Sequence, residues 1–173
     1  LLAWLGGLVG CSQSSEAFLQ RGKALLDKGE YEEAVRYLNQ AIEKDDRNAE
    51  AFNARGVAYF AQKQTDQALL DYDRAIQLNA TAYRPFYNRA LAKTDRQDLP
   101  GALADYGSAI RLAPDTAALY LNRGTVYVAL QKIEEAVADF DRAIRLQPNN
   151  APAYFNRGNL KFQLGGFAAA QAD

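Results

Sequence analysis

The chain has 173 residues and a formal net charge of −1, with 49% apolar and 24% charged residues, which places it among soluble globular proteins of one domain or several stacked small units. Near-neutrality without a basic stretch argues against nucleic acid as a partner. There is no histidine and one cysteine, so the commonest general base and metal ligand is missing, and neither an intramolecular disulfide nor a thiolate metal cluster can form; no cofactor is expected.

Residues 1–10, LLAWLGGLVG, form an uncharged apolar run too short to span a bilayer, which needs about 20 residues. The length suits the apolar region of a signal peptide. Methionine is absent, even at position 1, so the chain reads as a piece of a longer protein. Leu8, Val9, Gly10 and Cys11, followed by a serine-rich stretch, resemble the bacterial lipobox. That resemblance implies that Cys11 becomes the mature N-terminus and carries the lipid, with residues 11–14 a short linker. Ser12 resembles the residue found in lipoproteins sorted to the outer membrane. The localisation so implied is the bacterial envelope, outer membrane, facing the periplasm. Three acyl chains on one cysteine would give stable anchoring, since one chain alone holds only marginally.

From Ser15 onward the chain repeats every 34 residues. Gly22, Gly56, Ala90, Gly124 and Gly158 keep this interval, as do Ala34, Ala68, Ala102, Ala136 and Ala170, and Phe18, Phe52, Phe86, Tyr120 and Tyr154. Within a unit, Phe52, Gly56 and Tyr59 share one helical face, and Ala68, Tyr72, Ala75 and Ile76 share another. A short polar connection over residues 61–65 joins the two predicted helices. Pro114 and Pro148 stop second helices, whereas Pro100 falls in a first turn, where proline is tolerated. Each unit is therefore a predicted helix hairpin. One hairpin cannot bury its own apolar face, so the hairpins must stack into a superhelical array with concave and convex surfaces.

The phrases NARGVAY, YNRALAK, LNRGTVY and FNRGNLK and the small-and-large pattern resemble the tetratricopeptide repeat family over residues 15–173. The resemblance implies an all-α, right-handed superhelical solenoid, with units at 15–48, 49–82, 83–116, 117–150 and a truncated 151–173. Lys93 and Lys161 depart from it, standing where a tyrosine is common. The last unit stops midway through its second helix, so further units or a capping helix are expected beyond it.

Arg21, Arg55, Arg89, Arg123 and Arg157 recur with Asp71, Asp105, Asp139 and Asp173, a pattern that suits either structural Arg–Asp pairs between helices or an anion-binding row. Tyr37 takes the aspartate's place in the first unit. Asn88, Asn122 and Asn156 form a second ladder. Each amide can hold a peptide backbone, as the resemblance implies, or brace neighbouring helices. The resemblance also assigns groove-lining positions on the first helix of each unit, and from these the candidate partner-binding residues are Asn53, Arg84, Tyr87, Leu91, Leu121, Thr125, Phe155 and Asn159, with the three asparagines. The groove grows more apolar toward the C-terminal end, which suits a partner helix or extended segment, or a cover of further repeats. Leu19 or Asn53 stands where the subtype that clamps a C-terminal carboxylate needs its first lysine, so that subtype is excluded.

Charged residues sit in mixed runs such as IEKDDRNAE that read as solvated surface, and no catalytic constellation is evident. The sequence thus points to a non-enzymatic scaffold for proteins or peptide segments, lipid-anchored at a membrane, without nucleic-acid or small-molecule substrates. The alternatives are a regulatory or substrate-presenting subunit of an envelope enzyme, or the binding module of a larger enzyme.

Overall fold

Ser14 starts the first helix: its hydroxyl accepts the Ala17 N–H at 3.2 Å, satisfying one donor that the helix itself leaves unpaired. The structure is a computed structural model that describes residues 14–163 and residue 165. Cys11 and the rest of the leading segment lie outside the described residues, as do Ala170 and Asp173.

The described residues form α1 (Ser15–Asp27), α2 (Tyr31–Lys44), α3 (Ala49–Ala61), α4 (Thr65–Leu78), α5 (Tyr83–Asp95), α6 (Leu99–Leu112), α7 (Ala117–Ala129), α8 (Ile133–Leu146) and α9 (Ala151–Gln163). They contain no strand. α1, α3, α5 and α7 each pack on the even-numbered helix that follows, α9 packs on α8, and the hairpins stack in chain order. The odd-numbered helices also touch one another (α1 with α3, α3 with α5, α7 with α9), so they line one surface together. Their first residues stand 34 apart, at Ser15, Ala49, Tyr83, Ala117 and Ala151.

The close approach inside a hairpin needs a residue without bulk. A Cβ on Gly22 would lie 2.6 Å from Leu38 Cγ, one on Gly56 2.6 Å from Tyr72 Cε1, and one on Gly124 2.7 Å from Phe140 Cε1. The large partner thus presses directly on the glycine, and Leu38, Tyr72 and Phe140 are fully buried. The third unit uses Ala90 there, against buried Tyr106. The apolar contacts divide into local clusters along the stack, the arrangement of an array whose units hold only their neighbours.

Each hairpin turn reverses the chain with a left-handed residue. Gly29 (φ 77°), Lys63 (63°), Gln97 (64°), Gln131 (57°) and Gly165 (79°) occupy the same repeat position. In the first four, the following N–H reaches back to the last turn of the helix, for example Gln64 to the Tyr59 carbonyl and Asp98 to the Lys93 carbonyl, both at 2.9 Å. The even-numbered helices end differently: Asp45, Asn79, Ala113 and Gln147 cap them with φ near −140° to −150°, and Pro114 or Pro148 follows two of these caps. Pro100 lies in the first turn of α6. There Asp98 accepts the Gly101 N–H at 3.0 Å.

Candidate functional site

The arginine series forms structural pairs. Arg55 donates to Asp71 through Nε (2.8 Å) and Nη2 (2.7 Å), and Arg89–Asp105 and Arg123–Asp139 repeat this fork within their own hairpins. All three aspartates are about 95% buried, so these are desolvated pairs. The hydrogen bond to Asp71 holds the Arg55 guanidinium above its ordinary value against the opposing pull of burial; Arg89 and Arg123 behave likewise. Each guanidinium also stacks on aromatic neighbours. Arg55 lies 5.4 Å from the Phe52 ring centroid and 5.8 Å from that of Tyr59, and Arg123 sits likewise by Tyr120 and Tyr127. In the third unit Lys93 replaces the second ring and brings its Nζ to 2.8 Å from Asp105. Arg21, without an aspartate, lies 5.7 Å from the Tyr37 ring. An anion-binding row is therefore not what the pairing aspartates leave open.

A second contact escaped the sequence reading. Arg55 Nη1 donates to Asn39 (2.7 Å), Arg89 Nη1 to Asp73 (2.6 Å) and Arg157 Nη1 to Asp141 (2.5 Å), each acceptor belonging to the preceding hairpin. One side chain thus ties two units together.

Two of the three ladder asparagines brace neighbouring units. Asn88 Nδ2 donates to Asn53 Oδ1 at 2.9 Å, and Asn122 Nδ2 donates to the Tyr87 hydroxyl at 2.9 Å. Tyr87 is itself packed beside Tyr106, with ring centroids 6.2 Å apart; burial pushes its phenol up, and the bond from Asn122 opposes that. For Asn156 the corresponding neighbour is Leu121, which offers no acceptor, and its half-buried amide makes no hydrogen bond among the described residues.

The surface of odd-numbered helices carries a pocket of about 470 Å³ across the first three units, walled by Lys23, Leu26, Asn53, Val57, Arg84 and Pro85. Lys23 spans its rim to Glu50 at 2.5 Å. A second pocket of about 200 Å³ adjoins it, sharing Tyr83 and Arg84 and adding Tyr87, Asn88 and Leu119. Arg84 stands between the two, exposed, with its guanidinium 5.9 Å from the Tyr83 ring and no ion pair or hydrogen bond among the described residues. The structure therefore brings together Asn53, Arg84, Tyr87 and Asn88. Leu91 and Leu121 are half-buried and pack into hairpin clusters. Thr125 is exposed, its hydroxyl turned to the Leu121 carbonyl at 3.1 Å. Phe155 is 69% exposed and Asn159 is exposed farther along the same helix series. Asn79, Thr81 and Ala82, which also wall the larger pocket, belong to the connection between units and so lay outside a pattern confined to first helices.

Among the described residues no helix is long and apolar enough to cross a membrane, and no group of three acidic or sulfur side chains could hold a metal ion. Stacked hairpins at a fixed period, stapled by arginines and pocketed on one helix face, define a helical-repeat solenoid. The family profile described as TPR repeat matches residues 22–63, 91–131 and 124–165, and that described as tetratricopeptide repeat matches residues 49–81. The chain belongs to the tetratricopeptide repeat family, and its fold is the all-α superhelical solenoid of that family. Among solved structures, PilF of Pseudomonas aeruginosa superposes with a TM-score of 0.86 at 22% identity, over 91% of this chain and 72% of that one. MamA of Desulfovibrio magneticus RS-1 gives 0.81 at 18% identity, over 91% and 89% of the two chains. YrrB, described as a TPR protein with an unusual peptide-binding site, gives 0.74 at 18%, over 91% and 81%. At these identities the likeness is one of fold. No curated protein matches the chain.

Proposed function

We propose that the chain is a non-catalytic interaction scaffold that holds an extended protein segment along its odd-numbered helices, and that Cys11 tethers it by lipid in the bacterial envelope, at the outer membrane. The observation that carries the binding reading is the pair of adjoining pockets with unpaired Arg84 between them. Leu26, Val57 and Pro85 offer an apolar wall for a side chain, and Arg84 offers a cation for a carboxylate beside it. Farther along, Asn156 has an amide to spare for a peptide backbone, and Phe155 an exposed ring. The peptide-binding site named for YrrB supports the same use of the fold. The anchor reading rests on the lipobox-like LVGC and the apolar run before it.

The binding test is capture of partners from envelope extract by the protein and by Arg84→Ala and Asn156→Ala variants. Both variants should keep wild-type thermal stability and lose specific partners; capture unchanged in both rejects the groove. Metabolic labelling with a fatty-acid analogue should mark the wild type and spare Cys11→Ala, and label persisting in the variant rejects the anchor.

A further inference from the structure

The arginine staple has one gap. Three staples place an oxygen of the preceding hairpin on Arg Nη1, at 2.5–2.7 Å: Asn39 for Arg55, Asp73 for Arg89, Asp141 for Arg157. At the junction of units three and four that position is Gly107, which has no side chain to offer. Arg123 keeps its fork to Asp139 through Nε and Nη2, while its Nη1 makes no hydrogen bond among the described residues. The fork and the two flanking rings fix the guanidinium plane, so Nη1 is pre-aimed at an unfilled place.

A second cation borders the same place. Arg111 stands one helical turn beyond Gly107, and its Nη1 lies 3.8 Å from where a Gly107 Cβ would be. It is the nearest atom to that point outside the local backbone, so a Cβ there meets no clash. Arg111 donates its Nη2 to Ser108 at 3.0 Å and has no ion pair among the described residues. The place is open to solvent: at the equivalent positions the side chains of Asp73 and Asp141 are 49% and 36% exposed. By the repeat equivalence, Arg123 Nη1 is directed at the place that Arg111 borders, a solvent-accessible position from which the chain's own carboxylate has been omitted.

We propose that the solvent-accessible position at Gly107 is a docking site for one carboxylate of a protein partner, an Asp or Glu side chain that completes the staple in trans on Arg123 Nη1 and Arg111. The class of ligand is read from the chain itself, which supplies a carboxylate or amide oxygen at the equivalent places and nothing larger. A planar carboxylate satisfies both donors at once, one oxygen for each. The site lies where an even-numbered helix meets the next hairpin, apart from the pockets on the odd-numbered helices. It rests on the reading of the chain as a protein-binding scaffold.

The test uses sodium acetate as the probe, with chloride replacing it at constant ionic strength, and heteronuclear NMR of the full chain. In the wild type, acetate should shift the Arg123 Nε–H and Gly107 amide signals saturably. Gly107→Asp, which fills the position in cis, should abolish that response, and Arg111→Gln should weaken it roughly two- to fivefold, as loss of one exposed charge partner does. A linear, unsaturating response, or the same saturation in Gly107→Asp, overturns the site. Should Gly107→Asp fail to fold, Arg111→Gln decides alone, and unchanged affinity there overturns it. Inorganic phosphate binding where acetate does not overturns the carboxylate assignment. Acetate binding together with failed capture from envelope extract leaves the carboxylate site standing and removes only the scaffold reading.

Discussion

Removing one arginine at a time should separate the cost of a bare buried carboxylate from the cost of lost packing. Arg55→Met keeps most of the side-chain stem between Phe52 and Tyr59 but leaves Asp71, 5% exposed, without a cation. Breaking a buried pair from one side costs roughly 3–5 kcal/mol, because the remaining charge has neither water nor partner. Arg89→Met strands Asp105 in the same way, except that Lys93 Nζ stays 2.8 Å from Asp105 Oδ2, the oxygen it shares with Arg89 Nε. An attraction of about 4 kcal/mol at an effective dielectric of about 20 and roughly 4 Å covers most of that penalty. The additional loss of Asp73, half-exposed, is worth about 0–1 kcal/mol. Arg89→Met should therefore cost about 3 kcal/mol less than Arg55→Met. In a Lys93→Tyr background, which copies the second unit, it should cost as much. Urea unfolding followed by far-UV circular dichroism, with m-values checked for constancy, measures all four variants. Equal losses for Arg55→Met and Arg89→Met, or no effect of Lys93→Tyr on the Arg89 penalty, would refute the role given to Lys93.

Two further outcomes follow from the backbone and the tyrosines. Gln97 turns the third hairpin with φ 64°, a conformation that costs a side-chain-bearing residue about 1–2 kcal/mol; Gln97→Gly removes that cost while adding about 0.4–1 kcal/mol of unfolded-state entropy, a net gain of about 0.5–1 kcal/mol. A rise in Tm checks it, and a fall refutes it. Burial pushes the phenols of Tyr72 and Tyr106 above their ordinary value of 10, with nearby Asp71 adding to the first and a hydrogen bond with Thr94 opposing the second. Since the folded state holds these protons longer than the unfolded chain, stability is complete below pH about 10 and falls above it, by about 1.4 kcal/mol per tyrosine per pH unit. Urea midpoints taken between pH about 9 and 11 should drop steeply for the wild type and less for Tyr72→Phe/Tyr106→Phe, and equal slopes would remove the tyrosines as the cause.

The repeat was legible because its two strictest demands fall on single positions. Gly22, Gly56 and Gly124 must lack bulk where Leu38, Tyr72 and Phe140 press on them, so the same letters return every 34 residues. The pairing of Arg55, Arg89 and Arg123 with aspartates was legible for the same reason, since both partners recur. The Nη1 contact was hidden because its acceptor position reads Asn39, Asp73, Gly107 and Asp141, a series with no constant letter. The asparagine ladder was ambiguous in sequence because each bond reaches back 35 residues, one more than the period. Its meaning depends on the residue it meets, an amide, a hydroxyl or Leu121. Nor does any letter announce the left-handed turns, since Lys63, Gln97 and Gln131 share them with Gly29. The larger pocket was missed in part because residues 79–82 belong to a connection between units.

The gap at Gly107 also explains why the junction of units three and four is bonded unlike the others. Elsewhere the arginine links one hairpin to the next, because Arg55 and Arg89 each hold two hairpins with one rigid group. Arg123 holds only its own. The polar links across this junction run instead to the connection before α7 and along the odd-numbered helices: the Tyr120 hydroxyl donates to the Pro114 carbonyl at 2.9 Å, Arg142 of α8 pairs with Asp115 at 3.1 Å, and Asn122 reaches Tyr87. In a linear array each junction adds its own term to stability, so these links can support the stack while the position at Gly107 stays unfilled. A carboxylate arriving there would add a coupling that the other junctions already possess. Its binding energy would go into joining two hairpins, so a partner engaged at Gly107 would stiffen the solenoid as well as dock on it.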